Sequence, residues 1–356
     1  MSPWLVVLAG GSGTRFWPRS KAGLPKQLLN IAGDEPLLCT TIRRFQSWVP
    51  ADHIFVVTTE SLEAATKSAL QKFPAVNILA EPESRNTAPC IAMAMEWIRA
   101  KDANASVVIV PADHWITDTS EYIKVMQSAL KTAQEKHCLV TVGIQPTRPE
   151  TGYGYIRCGE EFGNGSYRVD RFVEKPKKEV AETMVQSSEY LWNAGMFVWE
   201  LNTYFKEMEK SSPEFVQAFV QYRAALSAGK SGKEELKKDY GKATATSIDY
   251  ALLEKTKNIA VVPGSSFGWN DLGSFISLEE IYPKVEGGVA RASRVMAVDS
   301  FANIIDCPGK TVALLGVTDM ILVEAGGIIL LAAKEKAQDV KKIVERLKQE
   351  GAKDLI

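Results

Sequence analysis

Short apolar runs alternate with segments of helical spacing through the first half of the chain. Runs rich in Val, Ile and Leu predict buried strands, at 4–9, 53–58, 76–80, 106–110 and 139–144. Apolar positions three or four residues apart predict helices between them, at 37–49, 62–73, 87–100 and 121–136. Ser61 and Thr87 are the predicted N-caps of two of these helices. The alternation predicts an α/β fold with a doubly wound, mixed but mainly parallel sheet.

The pattern changes after residue 145. Further strands are predicted at 151–156, 167–176 and 191–199, and the region 201–254 is mostly helical. Beyond 283, short apolar runs separated by Gly and Asp predict a small all-β unit, at 295–298, 303–305, 311–316, 320–324 and 328–333. A short β-helix is one option for this unit, and a charged amphipathic helix follows at 335–350. We therefore predict a main domain at 1–282 and a C-terminal unit at 283–356.

Glycines follow the first predicted strand at positions 10, 11 and 13. Because they lack Cβ atoms, the backbone can approach a ligand closely, and successive N–H groups can surround phosphate oxygens. Arg15 and Lys26 supply cations for a polyphosphate. Phe16 stands where a dinucleotide fingerprint requires its last glycine, and no Gly-Lys-Ser/Thr of a P-loop follows. The sequence therefore predicts a phosphate-binding loop of another kind.

The residues after this loop distinguish it from an ordinary glycine turn. Arg15, Trp17-Pro18 and Pro25-Lys26-Gln27 follow at a spacing that resembles the signature of the sugar-phosphate nucleotidyltransferases. The Phe16-Trp17-Pro18 and Pro25-Lys26-Gln27 variants resemble the members that act on GTP and mannose 1-phosphate. The resemblance covers 3–282 and implies a Rossmann-like nucleotidyltransferase fold, with 1–282 as the catalytic domain. It implies nucleotide contacts from Leu8, Ala9, Gly10, Gly11, Ser12, Gly13, Thr14, Arg15, Lys26, Glu81, Asn86, Thr87 and Asp113.

Asp113 follows the buried run at 106–110. A carboxylate at the end of a central strand suits Mg²⁺, which takes carboxylate and phosphate oxygens and keeps some waters. The alternative interpretation is an Asp that caps the next turn. The resemblance pairs Asp113 with Asp271, in the segment 267–273, and implies that both coordinate the metal. The predicted cofactor is therefore Mg²⁺, held by Asp113 and Asp271.

The segment 81–89 resembles the base-reading loop of the family. Guanine presents two N–H donor groups side by side, and a carboxylate can accept from both, so Glu81 is the predicted guanine-binding residue. Asn86 and Thr87 would add polar contacts. The same residues also read as an ordinary helix entry with Pro89 in the first turn, and the two interpretations are compatible.

Two later segments, 172–176 and 192–197, resemble the sugar-phosphate motifs of the family. By this resemblance Lys175 contacts the phosphate of the sugar 1-phosphate, and Glu174 and Asn193 bind sugar hydroxyls. Tyr153 and Gly154 would approach the sugar, the glycine through its backbone. The sugar-phosphate site is thus predicted to comprise Tyr153, Gly154, Glu174, Lys175 and Asn193.

Composition excludes several other classes. The net charge of −1 and the pI near 6.4 argue against a nucleic-acid-binding protein, which usually carries a basic excess. The five cysteines form no C-x-x-C pair, which argues against a disulfide framework or a zinc site and fits a reducing compartment. The N-terminal apolar run is too short for a signal peptide, and no stretch approaches the roughly 20 apolar residues of a membrane span. We expect a soluble, cytoplasmic protein without membrane or nucleic-acid partners.

The activity that the resemblance implies is transfer of GMP from GTP to α-D-mannose 1-phosphate, with release of pyrophosphate. Its implied catalytic residues are Arg15, Lys26, Asp113, Lys175 and Asp271. A nucleotidyltransferase for another sugar 1-phosphate or NTP is an alternative, and a non-catalytic nucleotide-sensing relative is another. The C-terminal unit contains none of these residues, and small β units usually need a partner surface. We therefore expect it to serve assembly, in a homodimer.

Overall fold

The computed structural model describes residues 2–11, 13–264 and 267–356. Ser12, one of the predicted nucleotide-binding residues, lies outside the described residues. Strands and helices alternate up to residue 144 as predicted: β1 (Trp4–Leu8), α1 (Leu37–Phe45), β2 (Ile54–Thr59), α2 (Glu63–Ala69), β3 (Asn77–Glu81), α3 (Thr87–Lys101), β4 (Ser106–Pro111), β5 (Trp115–Ile116), α4 (Thr119–Lys136) and β6 (Leu139–Ile144).

The middle of the chain adds further strands and a group of helices. They are β7 (Tyr155–Gly163), β8 (Ser166–Val173), α5 (Lys178–Ser187), β9 (Tyr190–Glu200), α6 (Leu201–Ser211), α7 (Pro213–Ala218), α8 (Val220–Ser227), α9 (Lys233–Tyr240), β10 (Ile259–Pro263) and β11 (Trp269–Asn270). The strands predicted at 151–156 and 167–176 are displaced, since β7 begins at Tyr155 and β8 ends at Val173. Tyr153, Gly154 and Lys175 therefore lie in the connections at one end of these strands, not within them.

Two predicted helix caps are wrong. A 3-10 turn at Glu60–Leu62 precedes α2 and contains Ser61, whose hydroxyl contacts Thr59 Oγ1 at 2.9 Å instead of capping a helix. In α3 the cap is Asn86, whose Oδ1 accepts a hydrogen bond of 2.8 Å from the Thr87 backbone N–H. The Thr87 hydroxyl instead accepts from the backbone N–H of Ile248 at 2.9 Å. The Thr87 side chain, which the local pattern predicted as a helix cap, therefore binds a residue far away in the chain instead.

The central sheet is mixed and mainly parallel in strand direction, as predicted. Within the described residues it has nine strands, in the order β3-β2-β1-β4-β9-β6-β10-β8-β7. β1 pairs in parallel with β2 and β4, and β6 pairs in parallel with β10. β9 lies between β4 and β6 and is antiparallel to both. The carboxyl ends of β1, β3 and β4 therefore meet at one edge, where ligands of such sheets bind.

Helices cover both faces of this sheet. Leu5 and Val7 of β1 pack in one apolar cluster with residues of α1 and α4, and Val6 packs in another with residues of α3 and α6. Successive side chains of a strand point to opposite faces, so a strand buried on both sides must be apolar throughout. This burial explains the unbroken run at 4–8.

The C-terminal unit is a separate five-stranded sheet. It contains β12 (Lys284–Val285), β13 (Gly288–Val298), β14 (Asn303–Leu315), β15 (Met320–Ala325) and β16 (Ile328–Ala333). β14 joins the runs predicted as separate strands at 303–305 and 311–316, because a register shift between Ala292 and Arg294 of β13 accommodates Pro308-Gly309 without ending the strand. A 3-10 segment at Lys334–Asp339 leads into α10 (Val340–Gln349), which is shorter than the helix predicted at 335–350.

One apolar cluster joins this unit to the segment that follows the glycine loop. Phe16 and Trp17 share it with Val340 and Val344 of α10. The Trp17 indole N–H also donates to the Leu355 backbone carbonyl at 2.8 Å. The predicted boundary between 282 and 283 thus lies between elements that share a core, and the division into two domains stays a prediction. None of the described helices is long and apolar enough to cross a membrane.

Candidate active site

Two adjoining cavities lie at the carboxyl ends of the central strands. The larger has a volume of about 660 Å³ and the smaller about 380 Å³. Asp113, His114 and Asp271 line both. Asp113 follows β4, and the pairing of β11 with β5 brings Asp271 to the same place, because Asn270 is the register partner of Trp115. The two predicted metal ligands, 158 positions apart in the chain, therefore border one site.

The structure brings together most of the predicted site residues. The larger cavity is lined by Leu8, Ala9, Gly10, Gly11, Glu81, Asn86, Thr87, Asp113, Tyr153, Gly154, Glu174, Asn193 and Asp271. The smaller cavity is lined by Gly13, Thr14, Arg15, Lys26, Asp113 and Asp271. Lys175 lines neither cavity, but its ammonium lies 2.6 Å from Glu174 Oε1.

The glycine loop is held in shape by a side chain that sequence reasoning did not assign to the site. Buried Gln27 donates from Nε2 to the carbonyls of Ala9, at 2.7 Å, and Gly11, at 3.0 Å. Gly13 has a φ of 58°, and a Cβ there would lie 2.7 Å from the Cβ of Lys26. Any residue larger than glycine at 13 would therefore push Lys26 away from the loop.

Lys26 is buried and bonded on several sides. Its ammonium lies 2.7 Å from Asp113 Oδ2 and donates to the carbonyls of Asp271, at 2.8 Å, and Leu272, at 2.9 Å. Burial is the largest single effect on the pKa of Asp113 and raises it, but the charge and hydrogen bond of Lys26, together with smaller contributions, outweigh burial and hold that pKa below its ordinary value. Asp113 is therefore ionised at neutral pH, and Lys26 holds it against the segment that carries Asp271.

The two aspartates fit a hard divalent cation that also takes ligands from a substrate. Among the described residues no group of three or more His, Cys, Asp and Glu side chains forms a complete metal cage. Asp113 and Asp271 could supply two carboxylates to such an ion, and a hydrogen bond of 3.2 Å from the Gly273 N–H to Asp271 Oδ1 holds the Asp271 loop. Mg²⁺ is commonly bound by one or two carboxylates together with phosphate oxygens and water.

His114, which the sequence leaves outside the metal site, is a neutral wall of both cavities. Burial lowers the pKa of His114 to about 4. Its Nδ1 accepts a hydrogen bond of 3.1 Å from the indole N–H of Trp269. The imidazole therefore adds no charge at neutral pH and fixes the orientation of Trp269.

Glu81 is a buried residue of the larger cavity wall. Only 3% of it is exposed, and a Cβ on Gly10 would lie 2.9 Å from Glu81 Oε1. The hydroxyl of Tyr240, on α9, donates to Oε2. Burial raises the pKa of Glu81 to about 7, against the opposing effect of the Tyr240 hydrogen bond. A titratable acceptor thus lines the larger cavity directly beside Gly10.

Glu174 is the clearest unsatisfied acceptor of the larger cavity. Its side chain is 5% exposed, and Oε2 is buried without a hydrogen-bond partner among the described residues. A Cβ on Gly154 would lie 2.5 Å from this oxygen, so glycine leaves the approach to it open. An orphaned buried carboxylate oxygen is costly unless a ligand donates to it. Lys175, in a left-handed conformation with a φ of 48°, turns back onto the other oxygen of Glu174.

Both side-chain amide atoms of Asn193 form hydrogen bonds. Oδ1 accepts from Thr141 Oγ1 at 2.9 Å, and Nδ2 donates to Asp249 Oδ1 at 2.8 Å. Burial and the nearby Glu174 raise the pKa of Asp249 to about 6. Sequence reasoning missed Asp249, because a carboxylate within a helical stretch carries no local signal for a site.

Aromatic side chains form the wall beside Tyr153. Its ring meets Trp192 at 5.2 Å and Trp269 at 5.6 Å between centroids, both edge to face. Burial and the neighbouring Asp271 raise the pKa of the Tyr153 phenol, which therefore stays protonated. The predicted segments 192–197 and 267–273 contained these tryptophans, but only the fold shows that they meet.

Known proteins resemble the chain over nearly its whole length. Residues 5–287 match the family described as Nucleotidyl transferase, and 293–347 match the MannoseP isomerase/GMP-like beta-helix domain. The latter match confirms the β-helix option for the C-terminal unit.

Individual relatives agree with these matches. Mannose-1-phosphate guanylyltransferases of Salmonella montevideo and Klebsiella pneumoniae are each 36% identical, over 97% of this chain and 74% of their own length. The crystal structure of a Thermus thermophilus protein, described as a mannose-1-phosphate geranyltransferase, is 30% identical with a TM-score of 0.87, over 98% of this chain and 100% of that chain. The chain therefore belongs to the nucleotidyl transferase family, in its mannose-1-phosphate guanylyltransferase branch.

Proposed function

We propose that this protein transfers GMP from GTP to α-D-mannose 1-phosphate, giving GDP-mannose and pyrophosphate. The observation that carries the proposal is the pair of cavities that share Asp113 and Asp271. The larger cavity has room and acceptors for a base and a sugar, and the smaller one has cations for phosphates. The names of the relatives at 36% identity support the choice of guanine and mannose.

In this proposal Glu81 reads the base. Its ionised carboxylate accepts from N1–H and N2–H₂ of guanine, whereas uracil and adenine cannot match it with two adjacent donors. Gly10 leaves the base a path to Glu81, since any Cβ there would contact Oε1. Asn86 and Thr87, at the start of α3, line the same cavity and add polar contacts to the nucleotide.

The sugar occupies the other end of the larger cavity. A mannose hydroxyl donates to Glu174 Oε2, which otherwise lacks a partner among the described residues. Tyr153, Gly154 and Asn193 border the sugar, and Asn193 contacts a sugar hydroxyl and also holds Asp249 in position. Lys175, beside Glu174, contacts the phosphate of the sugar 1-phosphate.

The chemistry requires positioning and charge neutralisation more than proton transfer. An oxygen of the sugar phosphate is already anionic at neutral pH, so it attacks the α-phosphorus of GTP without a general base. A neutral His114 agrees with this, because burial lowers its pKa to about 4. Arg15 and Lys26 stabilise the negative charge that develops on the leaving pyrophosphate. Lys26, held by Asp113, presents a fixed rather than a mobile charge.

The proposed cofactor is Mg²⁺, held by Asp113 and Asp271. When bound, it supplies positive charge to phosphate oxygens that would otherwise repel the incoming anion. We propose that the protein acts in the cytoplasm as a homodimer. Its five cysteines are free in the structure, which fits a reducing compartment.

The C-terminal sheet is the proposed dimer contact. Val298 and Leu315, register partners on β13 and β14, are 57% and 75% exposed. Ile329 and Leu331 on β16 are 69% and 64% exposed, on either side of buried Leu330. Exposed apolar side chains on one sheet favour a protein contact, and a second copy presents the complementary apolar surface.

A substrate panel tests the proposed function. Purified protein is mixed with ATP, CTP, GTP, UTP or dTTP and with the 1-phosphates of mannose, glucose, galactose or N-acetylglucosamine, and pyrophosphate release is measured with and without Mg²⁺. We expect the highest kcat/KM for GTP with mannose 1-phosphate, and turnover that depends on Mg²⁺. Preference for another pair would identify a different nucleotidyltransferase, and nucleotide binding without turnover would identify a sensing protein.

A further inference from the structure

We infer that Lys341, on the C-terminal helix α10, binds the phosphates that leave as pyrophosphate. This inference rests on the proposed function, and it extends the site to a part of the chain that the sequence motifs leave out. Lys341 lines the smaller cavity together with Thr14, Arg15 and Lys26. The cavity is therefore built from both ends of the chain.

The position of Lys341 is fixed by the packing of its own helix. Val340 and Val344 of α10 are 2% and 6% exposed and pack with Phe16 and Trp17, which directly follow the loop residues of the cavity. Lys341, the next residue after Val340, is exposed and lines the smaller cavity. A long cationic side chain is thus anchored at its backbone and free at its ammonium.

The charges around the smaller cavity leave Lys341 available for a ligand. Lys26 is already bonded to Asp113 and to the carbonyls of Asp271 and Leu272. Neither Arg15 nor Lys341 forms an ion pair or side-chain hydrogen bond within the described residues, although the charge of Lys341 contributes to lowering the pKa of Asp339. Two unpaired cations that face one cavity beside a glycine loop suit an anion with several oxygens.

The next residue of α10 provides a contrast. Lys342 forms an ion pair of 2.8 Å with Asp339 and is absent from the lining of the cavity, although it carries the same charge one position away. A general attraction of the positively charged helix for phosphates would involve both lysines. A specific contact with pyrophosphate involves Lys341 alone.

The reverse reaction, from GDP-mannose and pyrophosphate, distinguishes a general attraction from a specific contact of Lys341. Pyrophosphate is then a substrate, and its KM can be measured. Wild type, Lys341→Ala, Lys341→Arg and Lys342→Ala are assayed with GDP-mannose, pyrophosphate and Mg²⁺. For Lys341→Ala we expect the KM for pyrophosphate to rise on the order of 10-fold, as for loss of one charge-assisted contact. The KM for GDP-mannose should change less than about twofold, within the scatter of a surface substitution. Lys341→Arg should retain most of the affinity, and Lys342→Ala should match wild type.

The outcomes against the inference are distinct from a failure of the proposed function. An unchanged KM for pyrophosphate in Lys341→Ala overturns the inference, and so does an equal rise in Lys342→Ala. If wild type does not convert GDP-mannose and pyrophosphate, the proposed function fails instead. Calorimetric titration of wild type and Lys341→Ala with magnesium pyrophosphate then decides the role of Lys341: weaker binding to the variant supports it, and equal binding overturns it.

Discussion

The hydroxyl of Tyr240 donates a hydrogen bond to the buried carboxylate of Glu81, joining α9 to the end of β3. This bond favours the ionised form of Glu81, whereas burial favours the neutral form and is the larger effect. The balance sets the pKa of Glu81 near 7, so a change in either contribution should be visible at neutral pH.

We first predict that recognition of GTP strengthens as the pH rises through about 7, the pKa to which burial raises Glu81. Only the carboxylate accepts both donors of guanine, and below pH 7 the group is mostly protonated. In Glu81→Gln the kcat/KM for GTP should fall and lose this pH dependence, while UTP and ATP change little. Initial rates from pH 5.5 to 8.5 test this. Parallel pH profiles in wild type and variant would contradict it.

Unfolding provides an independent check of the same group. Because the folded pKa of Glu81 is raised from 4.5 to about 7, the neutral group favours the fold at low pH, and this contribution is lost as the pH rises through about 7. The stability of wild type relative to Glu81→Gln should therefore decrease between pH 5 and pH 8. Urea titrations at the two pH values measure the difference.

A second prediction concerns Tyr240→Phe. Loss of the hydroxyl removes the bond that lowers the pKa of Glu81, so the midpoint of the pH profile for GTP should move above that of wild type. Tyr222→Phe is the matched control, because Tyr222 is a similarly buried tyrosine on α8 whose hydroxyl, unlike that of Tyr240, has no hydrogen bond to Glu81 within the described residues. A midpoint that stays unchanged, or moves equally in both variants, would show that the bond does not tune Glu81.

Third, we predict that Asp113→Asn and Asp271→Asn each remove most activity, because an amide offers Mg²⁺ no charged oxygen. Residual turnover above about a tenth of wild type at saturating Mg²⁺, a loss below ~1.4 kcal/mol, would contradict a role as metal ligand. Asp170→Asn, at an exposed site on β8, is the control. Thermal unfolding of all variants separates loss of the metal from loss of the Lys26–Asp113 ion pair.

Fourth, we predict that Lys175→Ala and Lys26→Met affect different substrates. Lys175→Ala should raise the KM for mannose 1-phosphate more than that for GTP. Lys26→Met keeps the apolar part of the buried side chain and removes its charge, so it should lower kcat or raise the KM for GTP. A charge-assisted contact of 1.5–3 kcal/mol corresponds to effects of roughly 10- to 150-fold. Equal losses for both substrates in both variants would show that the two subsites are misassigned.

Fifth, we predict that Leu315→Glu shifts the protein from dimer to monomer. Leu315 is 75% exposed on the C-terminal sheet, and a charge there would be costly to bury in a contact. Val220→Glu is the control, since Val220 is 51% exposed on α8, away from that sheet. Size-exclusion chromatography with light scattering gives the mass of each protein. A wild type that is monomeric at micromolar concentration would rule out the dimer.

The hydrophobic pattern of the sequence predicted most of the fold. Particular residues show which features it could not predict. The run at 191–199 reads as a strand, but its insertion between β4 and β6, antiparallel to both, is invisible in the sequence because a strand buried on both faces is apolar in either direction. Pro308-Gly309 favours a turn, yet β14 continues through it, because β14 bulges there: residues 308–310 stand opposite the single residue 293 of β13.

The site divides in a similar way. Residues at the ends of strands or within recognisable motifs, such as Gly10, Asp113 and Glu174, were predicted and do line the cavities. Tyr240 and Asp249 were not predicted, because each acts on a partner far away in the chain, Glu81 in one case and Asn193 in the other. The fold brings such pairs together, and the sequence contains no fixed spacing between the two residues by which they could be predicted.

The bond from Trp17 to the Leu355 carbonyl spans 338 positions of the chain. At the usual 5–20 residues per second of synthesis, Trp17 is made roughly 17 to 68 s before its acceptor exists. During that interval the glycine loop lacks the apolar support of α10 and the charge of Lys341. Nucleotide capture by a nascent chain should therefore be delayed until this helix has left the ribosome.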